Sequence, residues 1–297
     1  MQDTTRKPNH YLPYLLSLPA LLALIGIIYP FLLGVYYTFT NYVLTAPQDM
    51  RFVGLQNYFE IIGNENFWRS FRVTVVYACA SVTIELVLGV TVAMMLQQSF
   101  PGVQILRSLL IVPMMIPPIV SALMWKVILL PTNQGVLNYA LGLMGIQPVP
   151  WLGDTGTALL SLIIIDVWIF APFAILIFLA TLQSLPREPY EAARVDGASG
   201  WFVFRRLTLP FLTPSIILVT LFRLIDSLKI FDTIYATTKG GPANATNTLH
   251  ILSYYEAIRW FNISNGMVYL FILWFLCFIS CWLLTKYWIR LVMGATR

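Results

Sequence analysis

Charged side chains are scarce in this chain, so those inside its oily stretches are the first candidates for chemistry. Glu85, Lys126 and Asp166 each stand in a different apolar stretch, while Arg223, Asp226 and Lys229 follow at steps of three, with Ser227 among them. Residues three apart are neighbours on a helix surface. Asp226 is therefore predicted to lie between two cations and to neutralise part of their charge. One chemistry that fits is a buried charge cluster fixing how helices pack. The other is a set of polar groups facing an aqueous cavity, where they would meet a hydroxyl-rich solute. Ionisable groups within a bilayer are costly and are functional hypotheses by default. Trp125 and Trp168 are candidate stacking platforms for such a solute, or else packing residues. Glu85, Asp166 and Asp226 would also suit an ion-coupled secondary transporter, as proton or ion carriers.

Pro113, Pro117 and Pro118 crowd one apolar stretch. Each removes a backbone donor and strains a helix. A bilayer tolerates this where protein or a water-filled cavity covers the freed carbonyls. The expectation is a pathway-lining or gating helix, with a statically kinked packing helix as the alternative. Enzymatic chemistry is not expected. The chain has no G-x-x-x-x-G-K-[ST], H-E-x-x-H or G-x-S-x-G pattern. Cys79, Cys277 and Cys281 lie in apolar runs and offer no disulfide framework or zinc spacing. His10 and His250 are far apart, so no metal site is expected.

The elements that must position these groups are membrane spans. The 297 residues are 58% hydrophobic and only 10% charged, against about 25% charged in a soluble domain. Six stretches reach the roughly 20 apolar residues a span needs: Leu12–Tyr36, Val73–Leu96, Ser108–Leu130, Ala158–Thr181, Leu212–Tyr235 and Gly266–Ile289. The first is too long for a signal-peptide core and has no small-x-small site after it. An all-α membrane protein with six transmembrane helices follows, one transmembrane domain over 1–297. The net charge of +5 then speaks of orientation at a bilayer, with no nucleic acid implied. With the N-terminus inside, the inner segments hold ten Lys and Arg, including Arg6, Lys7 and Arg297, and the outer segments five. The positive-inside rule thus places both termini in the cytoplasm. Aromatic side chains near the span ends would sit among the membrane lipid headgroups.

The outer connections have texture of their own. Phe52-Val53-Gly54-Leu55-Gln56-Asn57-Tyr58 with Phe67-Trp68 reads as a folded surface segment. Gly135 to Asp154 reads as a short amphipathic helix and a turn, and Gly240-Gly241-Pro242 as a turn. On the inner side, segment 184–210 interrupts the oily pattern between the fourth and fifth spans. Glu188-Pro189 suits a helix start, and Glu191, Ala192 and Ala193 are good helix formers. Gly197 and Gly200 permit a sharp turn. Trp201 to Leu209 then forms a second short helix carrying Arg205 and Arg206, ended by Pro210. A compact helix–turn–helix between two spans is predicted to dock a partner protein.

Glu191-Ala192-Ala193, Gly197 and Leu207-x-Leu209-Pro210 resemble the EAA loop of bacterial ATP-binding-cassette importer permeases, with leucine in place of the usual isoleucine. Phe52-Val53-Gly54-Leu55-x-Asn57-Tyr58 and Gly240-Gly241-Pro242 followed by Ala245-Thr246-x-Thr248-Leu249 resemble the carbohydrate-uptake branch, on the maltose-permease-F-like side. The resemblance covers about residues 12 to 290. It implies a carbohydrate permease working with a second homologous permease subunit, two ABC ATPase subunits and an extracytoplasmic solute-binding protein. No cofactor is implied in this chain, since ATP and Mg belong to the partner ATPase. Glu191 would make a polar contact with that ATPase, Ala192 and Ala193 would allow close approach, and Gly197 would make the turn. Arg194, Asp196, Arg205 and Arg206 are further contact candidates. A sugar-like substrate, released by the binding protein, would enter a mid-membrane cavity.

Overall fold

The computed structural model describes residues 12–132 and 134–294, so Arg6, Lys7, His10 and Arg297 lie outside the described residues. The described chain is almost wholly helical, with isolated β-bridges at Thr40–Phe52 and Val43–Asn262. In chain order come α1 (Leu12–Thr38), α2 (Gln56–Ile62), α3 (Glu65–Gln97), α4 (Val103–Met115), α5 (Pro118–Ile128), α6 (Val136–Leu143) and α7 (Ala158–Ser184). There follow α8 (Glu188–Val195), α9 (Gly200–Val203), α10 (Leu209–Leu228), α11 (Asp232–Thr237), α12 (Leu249–Tyr254) and α13 (Ile263–Gly294).

The runs holding α1, α3, α7, α10 and α13 are long and apolar enough to cross a membrane by length and composition. The stretch Ser108–Leu130 is not one continuous helix. It is divided between α4 and α5, which meet at 99°. Pro113 sits inside α4, whereas Pro117 and Pro118 start a helix instead of kinking one, as the N-cap and first residue of α5. A residue before proline is pushed out of the helical region, and Ile116 and Pro117 accordingly have ψ of 128° and 137°.

The stretch Leu212–Tyr235 also parts. α10 stops at Leu228, Lys229 caps it, and α11 begins with Asp232 in its first turn, where a carboxylate complements the helix dipole. At its other end α10 is longer than expected. α9, a π-helical turn at Phe204–Thr208 and α10 form one run from Gly200 to Leu228. Pro210 therefore does not end the second loop helix; it lies in the first turn of α10. The Leu209 N–H already reaches back to the Phe204 carbonyl across the wider turn. The ladder is thus loosened where the proline has no donor to offer.

α3 and α7 form the centre of the bundle; α10 packs on both, α13 on α10, and α1 on α13. Between helices in lipid there is little gain from apolar burial itself, so close packing and polar bonds hold them together. Gly89 lets α3 approach α7 closely: a Cβ there would meet Ala174 Cβ and the Phe178 ring, each at 2.9 Å. Ala93, Ala171 and Ala174 continue this seam of small residues.

Two of the connections between spans are tied down by single amides. Asn57 Nδ2 donates to the Thr38 and Thr40 carbonyls at 2.9 and 2.6 Å, satisfying the C-terminal end of α1. Asn138, fully buried, donates to the Leu130 and Val149 carbonyls and accepts from the Val149 amide and Trp151 Nε1.

Candidate functional site

Three helices bring their charges to one point. Arg223 of α10 donates from Nε to Glu85 Oε2 at 2.7 Å and from Nη2 to Glu85 Oε1 at 2.8 Å. Nη2 also donates to Asp166 Oδ2 at 3.0 Å and to Ser227 Oγ at 3.2 Å. The guanidinium carbon lies 3.9 Å from the centre of the Phe170 ring. Glu85 on α3, Asp166 on α7, Arg223 and Ser227 are all buried. The planar fork of arginine matches a carboxylate in two places at once, so Glu85 and Asp166 claim Arg223. Its link to Asp226 is only 3.9 Å, whereas Asp226 and Lys229 meet at 3.2 Å. Asp226 thus does lie between two cations, as the spacing predicts, with Lys229 the closer of the two. Glu85, Asp166, Arg223 and Ser227 fasten α3, α7 and α10 to one another and are buried in this structure.

Trp125 and Trp168 do come together, edge to face, with ring centres 5.7 Å apart. They lie at an apolar cleft of about 1110 Å³ between α3, α4, α5 and α7, which Pro113 and Pro172 also line. Trp125 Nε1 is buried without a hydrogen-bond partner among the described residues. Lys126 turns elsewhere, donating to the Ala236 carbonyl in the last turn of α11 at 3.3 Å.

The break between α10 and α11 is the more polar site. The Asp226 and Lys229 side chains are 51% and 54% exposed. His250 Nδ1–H donates to the Lys229 carbonyl at 2.7 Å, covering an acceptor that the helix end leaves free. Beside it, Phe231 stacks on Tyr235 at 5.1 Å and touches His250 and Tyr254 at 5.1 and 5.2 Å. The Tyr235 and Tyr254 hydroxyls are 3.2 Å apart. Aromatic faces and phenol hydroxyls next to an exposed ion pair can stack on and hydrogen-bond to a polyhydroxyl solute. Sequence reasoning missed Phe231, Tyr235, His250 and Tyr254. Their signal was two aromatic pairs, each four residues apart, one at the end of the fifth apolar stretch and one after the Gly240-Gly241-Pro242 turn.

The α8–α9 loop is built as a small rigid head. Pro189 stands in the first turn of α8, and Asp196 caps its end. Gly197 takes φ +69°, and the Ala198 N–H returns to the Ala193 carbonyl at 2.9 Å, a Schellman-type ending that requires the left-handed region. Gly200 does not share this role. It is the first residue of α9, and Ser199 caps that helix by accepting from the Phe202 N–H at 3.3 Å. Tyr190 Oη donates to Thr208 Oγ1 at 3.3 Å, tying α8 to the π-helical turn. Glu191, Ala192, Arg194, Asp196, Gly197, Arg205 and Arg206 are exposed, and Ala193 is half-buried. Sequence reasoning passed over the apolar part of this head: Val195 is 87%, Trp201 68% and Phe202 52% exposed.

A bundle of membrane-length helices with a broken span, a polar gap in its fifth run and a compact helical head between two spans has the layout of a polytopic membrane protein. Residues 85–292 match the family described as binding-protein-dependent transport system inner membrane component. The chain belongs to that family and is a multi-pass inner-membrane protein. It is 43% identical over 237 residues to the probable ABC transporter permease protein y4oQ of Sinorhizobium fredii, covering 80% of this chain and 76% of that one. It is 37% identical over 255 residues to the trehalose/maltose transport system permease protein MalF of Thermococcus litoralis, covering 86% and 84%. A chain of a bacterial ABC transporter that imports the acidic polysaccharide alginate has the same fold, with a TM-score of 0.82 at 20% identity over 94% of this chain and 96% of that one.

Proposed function

We propose that this chain is one of two permease subunits of an ATP-driven importer that carries a sugar or polyol into the cell. The α8–α9 head faces the cytoplasm and docks on a separate ATPase subunit. What supports this most is the exposure of Val195, Trp201 and Phe202 beside Glu191, Arg194, Arg205 and Arg206. Large apolar side chains exposed on a segment between two spans mark a protein contact. Glu191 and the arginines make its polar rim, and Ala192 and Ala193 leave room for close approach.

The helical run from Gly200 carries motion inward. By the helix rise of 1.5 Å per residue, Arg223 lies about 35 Å along it from the head. Arg223 grips α3 and α7, so a push on the head moves three helices together. The solute passes the gap at Lys229–Phe231, where Asp226, Lys229 and the Phe231–Tyr235–His250–Tyr254 patch meet it. A carbohydrate class is favoured by that aromatic patch and by the trehalose/maltose relative. No observation favours ion coupling, since Glu85 and Asp166 are both engaged by Arg223.

The test is co-purification and uptake. Tagged wild-type chain is expected to bring down an ATPase subunit. Glu191→Lys and Gly197→Asp are expected to leave expression intact and abolish uptake. Normal ATP-driven uptake by both variants overturns the coupling role. A cysteine placed at Ala198 is expected to react with an impermeant reagent only from the cytoplasmic side.

A further inference from the structure

A second polar site lies at the opposite end of the bundle from the α8–α9 head. α3 fixes the geometry: Gln97 Nε2, at its last residue, donates to the Leu182 carbonyl just before the head. Asn66, at its start, is roughly 50 Å away at 1.5 Å per residue. Around Asn66 is a pocket of about 490 Å³ lined also by Lys239, Asn244, Asn247, Arg259 and Trp260.

The pocket is charged and unsatisfied. No carboxylate lines it, and among the described residues neither Lys239 nor Arg259 has an ion-pair partner. Tyr255 organises both cationic residues, through the Lys239 backbone and the Arg259 side chain. Tyr255 Oη donates to the Lys239 carbonyl at 2.7 Å, and the Arg259 guanidinium lies 5.5 Å over the Tyr255 ring. Asn247 is 5% exposed, yet its Oδ1 has no hydrogen-bond partner. A buried amide oxygen left without a donor costs free energy, so something that supplies a donor belongs there. Trp260 and Ile258, 60% and 56% exposed, form an apolar rim. Exposed tryptophan with arginine around a pocket has the composition of a protein-binding hot spot. A neutral sugar would leave both cations uncompensated, whereas an acidic side chain would pair with them.

We propose that this pocket receives an acidic side chain of the external solute-binding protein. Its carboxylate lies between Lys239 and Arg259, and a neighbouring N–H or O–H of the same segment donates to Asn247 Oδ1. The inference rests on the importer reading above, in which such a binding protein delivers the solute. Here the residues that hold it are named.

The experiment uses the assembled transporter in lipid nanodiscs with its binding protein. Lys239→Glu and Arg259→Glu, singly and together, are compared with wild type for assembly, unstimulated ATP hydrolysis, affinity for the binding protein, and the salt dependence of that affinity. The double variant is expected to assemble and hydrolyse ATP at the unstimulated rate. Its affinity for the binding protein is expected to fall about tenfold or more, with a shallower salt dependence. Asn247→Leu, which keeps both cations, is expected to weaken binding without altering the salt dependence. Wild-type affinity and salt slope in the double variant overturn the assignment alone. Loss of the second permease subunit from that variant also overturns it, because the pocket would then be an intersubunit contact. If the wild-type complex ignores the binding protein, the importer reading falls and this assignment with it.

Discussion

Arg223 and Glu85 stand 138 residues apart, yet they share a bidentate ion pair at 2.7 and 2.8 Å. Asp166 completes the group from a third helix. Removing one member of a buried pair costs about 3–5 kcal/mol, because the other charge stays behind unpaired. Arg223→Leu strands two carboxylates and is expected to destabilise more than Glu85→Gln, which strands none. Arg223→Lys is expected to rescue poorly, since an ammonium cannot reproduce the fork. Thermal unfolding of the detergent-purified chain ranks the three, and equal melting temperatures for Arg223→Leu and wild type would refute the lock.

Gly89 is expected to tolerate no bulk. Even an alanine Cβ would lie 2.9 Å from Ala174 Cβ and the Phe178 ring. Gly89→Ala is expected to cost about 1–3 kcal/mol through overpacking, and Gly89→Leu to remove folded protein altogether. A companion Phe178→Leu change should recover part of the Gly89→Ala loss, measured by the same melting curve.

The aromatic patch is expected to act on the solute and not on coupling. Tyr254→Ala removes a ring that touches Phe231 and Tyr235. Loss of one stacking partner is worth about 0.5–1.5 kcal/mol, so the KM for uptake should rise roughly 2- to 12-fold on the scale of 1.4 kcal/mol per tenfold change. Binding-protein-stimulated ATP hydrolysis should persist. An unchanged KM would remove the patch from the solute path.

Glu256 supplies a pH dependence outside the spans. Burial pushes its carboxyl above the ordinary value of 4.5, and a hydrogen bond with Asn265 opposes the shift in part. The folded state therefore holds this proton more tightly than the unfolded chain. Its contribution to stability is most favourable below 4.5 and is lost as the pH rises through the higher folded value. Glu256→Gln should flatten the pH slope of the melting temperature from pH about 4.5 upward. A slope identical to wild type would show that Glu256 does not set it.

Local signals in the sequence explain much of this architecture. Glu188-Pro189 and Gly197 bound α8 because a proline suits the first turn and glycine accepts a positive φ. Asn57 is legible as part of a folded outer segment, although its partners at Thr38 and Thr40 are not. Partnerships that cross the bundle leave no local period. Nothing around Glu85 points to Arg223, so the steps of three at Arg223, Asp226 and Lys229 suggest a self-contained cluster. The break at Lys229–Phe231 is hidden for a related reason. Ile230 and Phe231 carry the apolar pattern through it, and the break shows only in the backbone, with Lys229 at ψ 17° ending α10 and Phe231 at φ −134° preceding α11. Pro210 shows the converse, a local stop signal overridden by a π-helical turn.

None of the apolar window of α1 is buried, and this helix packs along α13. Their ends are stitched together, with the Tyr42 amide donating to Ser264 Oγ at 2.7 Å and the Leu44 amide to the Phe261 carbonyl at 2.8 Å. During synthesis, then, α1 waits in the lipid until α13, the helix it packs along, has been threaded. This edge of the bundle closes only after α13 leaves the ribosome, so its closure reports that every helix between α1 and α13 has been made.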